Sequence, residues 1–329
     1  MEIVASGIRP TGNLHLGNYF GAVKSFLKMQ NEYNCFFFIA DWHSLTTHPN
    51  PVNLRQSVKT ILAEYLACGI DPEKATIYVQ SDVREIAELY LYLNMNAYLG
   101  ELERVTTFKE KIRSQPDNIN AGLLTYPMLM ASDIIIHKAV KVPVGKDQEQ
   151  NMEMARKAAR RFNNIYGVEF FPEPASFHLT EKAVKVPGLD GSGKMGKSEG
   201  NAIYLFDDEK TISKKVMRAV TDSGPTVPDS EKPEPIQNLF TMMEIVSEKD
   251  TYNYFNDKYN SCEIRYGDLK KQLAKDINTF CAPIRERINE MMSNTDYLDK
   301  VVRIGAEKAS VSASKTINEV REIIGFKPY

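Results

Sequence analysis

Cysteine is scarce in this chain: four of 329 residues, at Cys35, Cys68, Cys262 and Cys281. None belongs to a C-x-x-C pair and the spacing fits no zinc site, which argues against a disulfide scaffold or a thiolate metal centre; buried, reduced thiols are expected. Long apolar runs are missing too. The longest, Cys35-Phe-Phe-Phe-Ile-Ala40, falls far short of the roughly 20 residues that span a bilayer. The segment Met1-Glu-Ile-Val-Ala-Ser6 is neither basic nor followed by a cleavage pattern, so no secretory signal is expected and a cytoplasmic location is. Charge of one sign does not predominate: 41 Lys and Arg face 43 Asp and Glu, a net of −2. No global cationic field therefore advertises a nucleic-acid partner, although a local basic patch is compatible with the count. Neither a solenoid-type repeat nor a low-complexity run is present. What remains is the composition of an ordinary globular protein, 43% hydrophobic and 26% charged. Its length suits two domains at roughly 150 residues each.

Taken in order, the chain alternates short β-leaning runs with helical periodicity. Strands are predicted at Ile3–Ser6, Cys35–Ala40, Ala75–Gln80 and Lys141–Val144. Between them lie a helix from Asn18, a second capped by Asn53 and stopped by Gly69, and a third from Ile86. This βαβαβ order predicts a Rossmann-like parallel sheet. Leu123 to His137 reads as a mostly buried helix, with Pro127 tolerable only in its first turn. A loop-rich stretch with Pro172, Pro174 and Pro187 follows. After about Asp208 strand-like runs vanish and amphipathic helices continue to the end. The expected organisation is an α/β catalytic domain over residues 1–205 and an all-α domain over 206–329.

Three stretches carry chemistry. Pro10-Thr-Gly-Asn-Leu-His-Leu-Gly-Asn18 joins the first strand to the first helix, where Gly12 and Gly17 allow close backbone approach and His15 can donate to phosphate. Gly191-Ser-Gly-Lys-Met-Gly-Lys-Ser198 matches the P-loop pattern G-x-x-x-x-G-K-S, but no buried strand precedes it and Glu199-Gly-Asn201 opposes a following helix. It reads better as a mobile loop whose Lys194 and Lys197 close over a triphosphate. Third, Tyr126, Met130 and Asp133 share one face of a helix. A carboxylate in so apolar a helix needs a partner. Asp133 either pairs with a basic neighbour or accepts a substrate N–H or O–H at the bottom of a pocket.

These elements resemble the class I aminoacyl-tRNA synthetases. His15-Leu-Gly-Asn18 is similar to their H-I-G-H element, and Lys194-Met-Gly-Lys-Ser198 to their K-M-S-K-S loop. The helix face Tyr126-x-x-x-Met130-x-x-Asp133 lacks the glutamine of the tyrosine enzymes and suits a flat indole instead. With Gly100–Lys111, Gly122–Tyr126 and Val142–Gln148, it makes the chain look like the bacterial tryptophanyl-tRNA synthetases from Ser6 to about Thr221, and more loosely beyond.

The resemblance implies a homodimeric tryptophan–tRNA ligase using ATP with Mg²⁺, L-tryptophan and tRNA(Trp), with the C-terminal helices reading the anticodon and no structural metal. It implies His15, Lys194 and Lys197 as catalytic groups. Arg9, Pro10, Thr11, Gly17, Asn18, Lys111, Gly145, Lys146, Asp147, Val186, Met195, Gly196 and Ser198 would contribute to ATP binding. Tyr126 and Gln148 would hold the ammonium and carboxylate of tryptophan, Met130 would face the ring, and Asp133 would accept the indole N–H. His43 would lie near the pocket, or be an ordinary loop histidine; His48, His137 and His178 have no assigned role. Three residues depart from the pattern: Arg9 and Trp42 stand where glutamine is usual, and Gly196 where serine is. Tyrosine activation, a superfamily adenylyltransferase and a non-catalytic synthetase-derived protein are the alternatives. Met130 disfavours the first, the helical extension the second and the intact lysines the third.

Overall fold

The structure, a computed structural model, describes all residues except 146–147, 178–185, 192, 198 and 327–329. Five strands form one parallel sheet in the order β3-β2-β1-β4-β5: β1 (Ile3–Ile8), β2 (Asn34–Ile39), β3 (Ala75–Val79), β4 (Lys141–Pro143) and β5 (Ala175–Phe177). Cys35 through Ile39 of β2 are all buried, because helices cover both faces of a parallel sheet. β5 was not expected; it lies among prolines and has only three residues. Its pairing with β4, Lys141 to Ala175 and Pro143 to Phe177, makes it a strand. Chain order reverses on either side of β1, so the carboxyl ends of β1 and β4 flank the topological switch point, where ligands of such sheets bind.

Two helix starts differ from expectation. The helix Pro51–Ala67 is capped by Asn50, whose side-chain oxygen accepts from the Val52 and Asn53 N–H groups at 3.0 and 3.3 Å. Pro51 then takes the first helical position, where its missing N–H costs nothing. The helix Ala121–Ile135 is capped by Asn120 and so starts early enough to place Pro127 in its second turn, not its first.

The chain divides into two compact units: Met1–Gly12, Ser25–Glu181 and Asn294–Tyr329 form one, and Asn13–Lys24 with Lys182–Ser293 the other. These units interleave along the chain. In the first unit, the C-terminal helix Thr295–Ile324 packs on β3 and adds Ala309, Ala313, Ile317 and Val320 to the sheet's core. Gly305 permits this contact, since a Cβ there would lie 1.7 Å from the carbonyl oxygen of Ile77. In the second unit, the helices Glu209–Met217 and Glu234–Val246 pack on Tyr266–Ser293, and Lys249–Asn260 lies against Glu234–Val246. Tyr19 and Phe20 explain why the start of the first helix belongs here: both rings pack on Phe280, at 5.1 Å. Among the described residues no helix is long and apolar enough to cross a membrane.

Candidate active site

In the second unit, the segment around His15 and the lysine loop lie close together. Leu14 and Leu16 bond through their backbones to Leu205 and Ile203, so the segment runs antiparallel to the strand-like stretch that follows the loop. His15 caps a one-turn helix: its Nδ1 accepts the Asn18 N–H at 3.3 Å, and the Asn18 side-chain oxygen accepts the His15 N–H at 3.1 Å. A lone pair committed at Nδ1 leaves the neutral ring's proton on Nε2, the donor a phosphate oxygen needs. Burial, then the charges of Lys197 and Lys194, lower the His15 pKa to about 4, so the ring is neutral at physiological pH. Gly17 is required by this ring as much as by any nucleotide, because a Cβ would meet the imidazole at 2.8 Å.

The lysine loop is not a phosphate cradle of the P-loop kind. Two of its backbone donors are committed internally: Met195 N–H to the Val186 carbonyl, and Gly196 N–H to the Asn201 side-chain oxygen, both at 2.9 Å. The next helix begins only at Glu209. Met195 and Val186, expected at the ATP, are buried and form the loop's anchor. Asn201, which sequence reasoning missed, holds the loop in shape by also donating to Asp190 at 2.9 Å and to the Lys194 carbonyl at 3.1 Å. Gly188 makes room for it, since a Cβ would lie 2.2 Å from the amide nitrogen. Lys194 and Lys197 therefore belong to a braced turn. Lys146, Asp147 and Ser198, expected at the ATP, and His178 lie outside the described residues.

In the first unit, Arg9, Lys111, Tyr126 and Gln148 line one cavity of about 150 Å³, together with Thr46 and Leu123. Arg9 follows the carboxyl end of β1, and Gln148 comes soon after β4 in the chain, so the cavity sits at the switch point. Pro10, Thr11 and Gly145 also follow these strand ends but are not in its lining. Neither are His43, Met130 and Asp133. His43 packs edge-on against Tyr126, with ring centroids 4.5 Å apart, and its Nε2 meets Asp133 Oδ2 at 2.8 Å. Asp133 is fully buried, and its Oδ1 accepts from the Gln80 side chain at 2.6 Å. Burial pushes its carboxyl pKa up, while the bonds from His43 and Gln80 act against that shift. Each oxygen has one protein partner in this arrangement and retains acceptor capacity for a further donor. Burial likewise raises the Tyr126 phenol. Gln80 went unnoticed in the sequence because it closes an apolar strand, Ile77-Tyr-Val-Gln80, as an ordinary polar end residue would.

His137 has a structural setting. It stacks on Phe36 at 4.0 Å, and its two nitrogens meet Tyr78 Oη and Ser312 Oγ at 3.1 Å.

The family of class I tRNA synthetases for tryptophan and tyrosine (W and Y) matches residues 2–282, and the chain belongs to it. Within that family it groups with the bacterial tryptophanyl-tRNA synthetases. It is 75% identical to a tryptophan–tRNA ligase of Porphyromonas gingivalis over 327 residues, 99% of this chain and 100% of that one. A tryptophan–tRNA ligase of Fusobacterium nucleatum is 42% identical over 99% of this chain and 98% of its own. The crystal structure of Campylobacter jejuni tryptophanyl-tRNA synthetase, complexed with ADP and tryptophan, superposes with a TM-score of 0.89 at 35% identity, covering 98% of this chain and 100% of that one.

Proposed function

We infer that this protein is a tryptophan–tRNA ligase. The carboxylate of L-tryptophan attacks the α-phosphorus of ATP, pyrophosphate leaves, and the resulting adenylate is passed to the 3′ end of tRNA(Trp). The observation that carries the choice of amino acid is the helix face Tyr126, Met130 and Asp133, with a fully buried carboxylate below a weakly polar thioether. A site built on such a buried acceptor strongly rejects side chains that cannot donate to it. Asp133 is assigned to the indole N–H, Met130 and His43 to the ring's surroundings, and Tyr126 and Gln148 to the amino acid's ammonium and carboxylate.

For ATP the assignment, by family resemblance, is Arg9, Pro10, Thr11, His15, Gly17, Asn18, Lys111, Gly145, Val186 and Lys194–Lys197. Lys146, Asp147 and Ser198 are assigned to it by family resemblance alone. No side chain needs to act as nucleophile. Lys194 and Lys197 neutralise charge building on the phosphates, and His15 donates through Nε2. A divalent cation accompanies ATP in this class; Mg²⁺ is proposed, entering as the nucleotide's phosphate complex, which needs few protein ligands.

The helices between Glu209 and Ser293 are assigned to the anticodon. Thr295–Ile324 is left out of that assignment because it belongs to the first compact unit. A homodimer is proposed, supported by the exposed apolar side chains Leu91, Met95, Tyr98 and Leu99, which follow one another along Glu85–Asn96 and Leu99–Leu102. The cytoplasm is the proposed location. Pyrophosphate exchange measured separately with tryptophan and tyrosine tests the function. Exchange with tryptophan alone is expected; exchange with tyrosine alone, or none, rejects it.

A further inference from the structure

Gln80 reaches two partners with the two ends of its amide. It is 0% exposed, at the end of β3. Its amide nitrogen donates to Asp133 Oδ1 at 2.6 Å, and its amide oxygen accepts the Trp42 backbone N–H at 3.1 Å. The two partners settle the orientation of the amide, since a carboxylate needs a donor and an N–H needs an acceptor. A glutamate would set one carboxylate against another, and an apolar side chain would take a donor from Asp133, while the Trp42 N–H, which also reaches Asp41 Oδ1 at 3.0 Å, would keep that acceptor. Trp42 also lies in the short helix Asp41–Ser44, which carries His43, and His43 holds the other oxygen of Asp133 at 2.8 Å. The carboxylate is thus gripped on both oxygens, and Gln80 ties one grip to the backbone that bears the other.

We infer that Gln80 is a positioning residue for tryptophan selection: without touching the substrate, it fixes the plane of the Asp133 carboxylate so that a remaining lone pair meets the indole N–H. This rests on the assignment of Asp133 to that N–H. The reasoning is that of a metal ligand oriented by its outer hydrogen bonds: a group able to rotate away loses directionality and therefore discrimination.

The test compares Gln80→Met, close in shape but without the amide, with the unaltered enzyme and with Asp133→Asn. Pyrophosphate exchange is measured with L-tryptophan and with β-(3-benzothienyl)-alanine, in which sulfur replaces the N–H. Loss of one hydrogen bond to a charged group predicts a rise of about tenfold in KM for tryptophan. The expected change in kcat, and in kcat/KM for the sulfur analogue, is less than about twofold, since neither depends on that bond. Equal losses on both substrates would reduce Gln80 to a packing role and overturn the inference. Selectivity that survives Asp133→Asn would instead reject the assignment of Asp133. Selectivity that collapses in Asp133→Asn but persists in Gln80→Met rejects the role of Gln80 alone. Gln80→Glu keeps the shape and the Trp42 bond; it carries the same expectation should the methionine variant be unstable, and retained selectivity in it overturns the inference equally.

Discussion

Replacing Gly305 with alanine isolates the contact that brings the C-terminal helix back onto the sheet. Helix propensity alone predicts a stabilisation of about 1 kcal/mol, because glycine is that much worse than alanine inside a helix. Packing predicts the opposite. The added Cβ would lie 1.7 Å from the Ile77 carbonyl oxygen, a backbone atom in the interior of β3 that cannot swing aside. A tolerable contact needs more than 3 Å, so the helix must lift by over 1 Å along a face that buries Leu298, Val301, Ala309, Ala313, Ile317 and Val320. Overpacking of this kind costs about 1–3 kcal/mol, and more where backbone is the obstacle. A net loss of about 2 kcal/mol corresponds to a fall in Tm of roughly 4–8 °C for a unit of this size. Gly267→Ala, in the first turn of Tyr266–Ser293 with nothing near its Cβ, serves as the control and should be neutral or slightly stabilising. Differential scanning calorimetry of the two variants decides the matter. A Gly305→Ala protein as stable as its parent would refute the packing argument.

Other perturbations have equally definite outcomes. Lys197→Ala should lower the rate of adenylate formation by roughly 10²-fold or more while tryptophan affinity changes little, as loss of a transition-state interaction requires; single-turnover kinetics beside calorimetric titration would expose equal losses, which contradict the role. Gly196→Ser should be accommodated, because its Cβ would meet only the flexible Glu199 side chain at 3.3 Å; a large drop in exchange activity would show that the loop needs its glycine. Asn201→Ala removes the brace of that same loop, and should reduce kcat with little effect on tryptophan KM, the reverse pattern counting against it. His137 supplies a pH test: burial holds its pKa at about 3, against an ordinary 6.5, so between those values the unfolded chain binds a proton that the folded one does not. Its contribution to stability is complete above about pH 6.5 and declines as pH falls toward 3. His137→Gln should therefore flatten the pH dependence of urea unfolding by up to ~1.4 kcal/mol per pH unit in that window, and an unchanged slope would contradict the assignment.

The sequence by itself determined the local structure and the chemistry that depends on it. Alternation of β-leaning and helical runs was enough for the parallel sheet, and Val186-Pro-Gly with Glu199-Gly-Asn201 was enough to reject a P-loop, because strands, helix starts and turns are read over a few residues. Tyr126, Met130 and Asp133 were legible together because helical spacing puts them on one face. Only the tertiary structure decided what depends on distant partners. Gln80 and Asn201 resemble any polar end residue until Asp133, 53 positions from one, and Asp190 and Gly196, within a folded loop, reveal what each holds. The same holds for β5, a strand only by virtue of β4. The sharpest case is the last helix: its periodicity matches that of the helices before it, so the chain alone assigned it to their domain. Its packing on β3, with Gly305 against Ile77, came from the fold alone, since close approach of helix and strand backbones is a property of two segments and is written in neither.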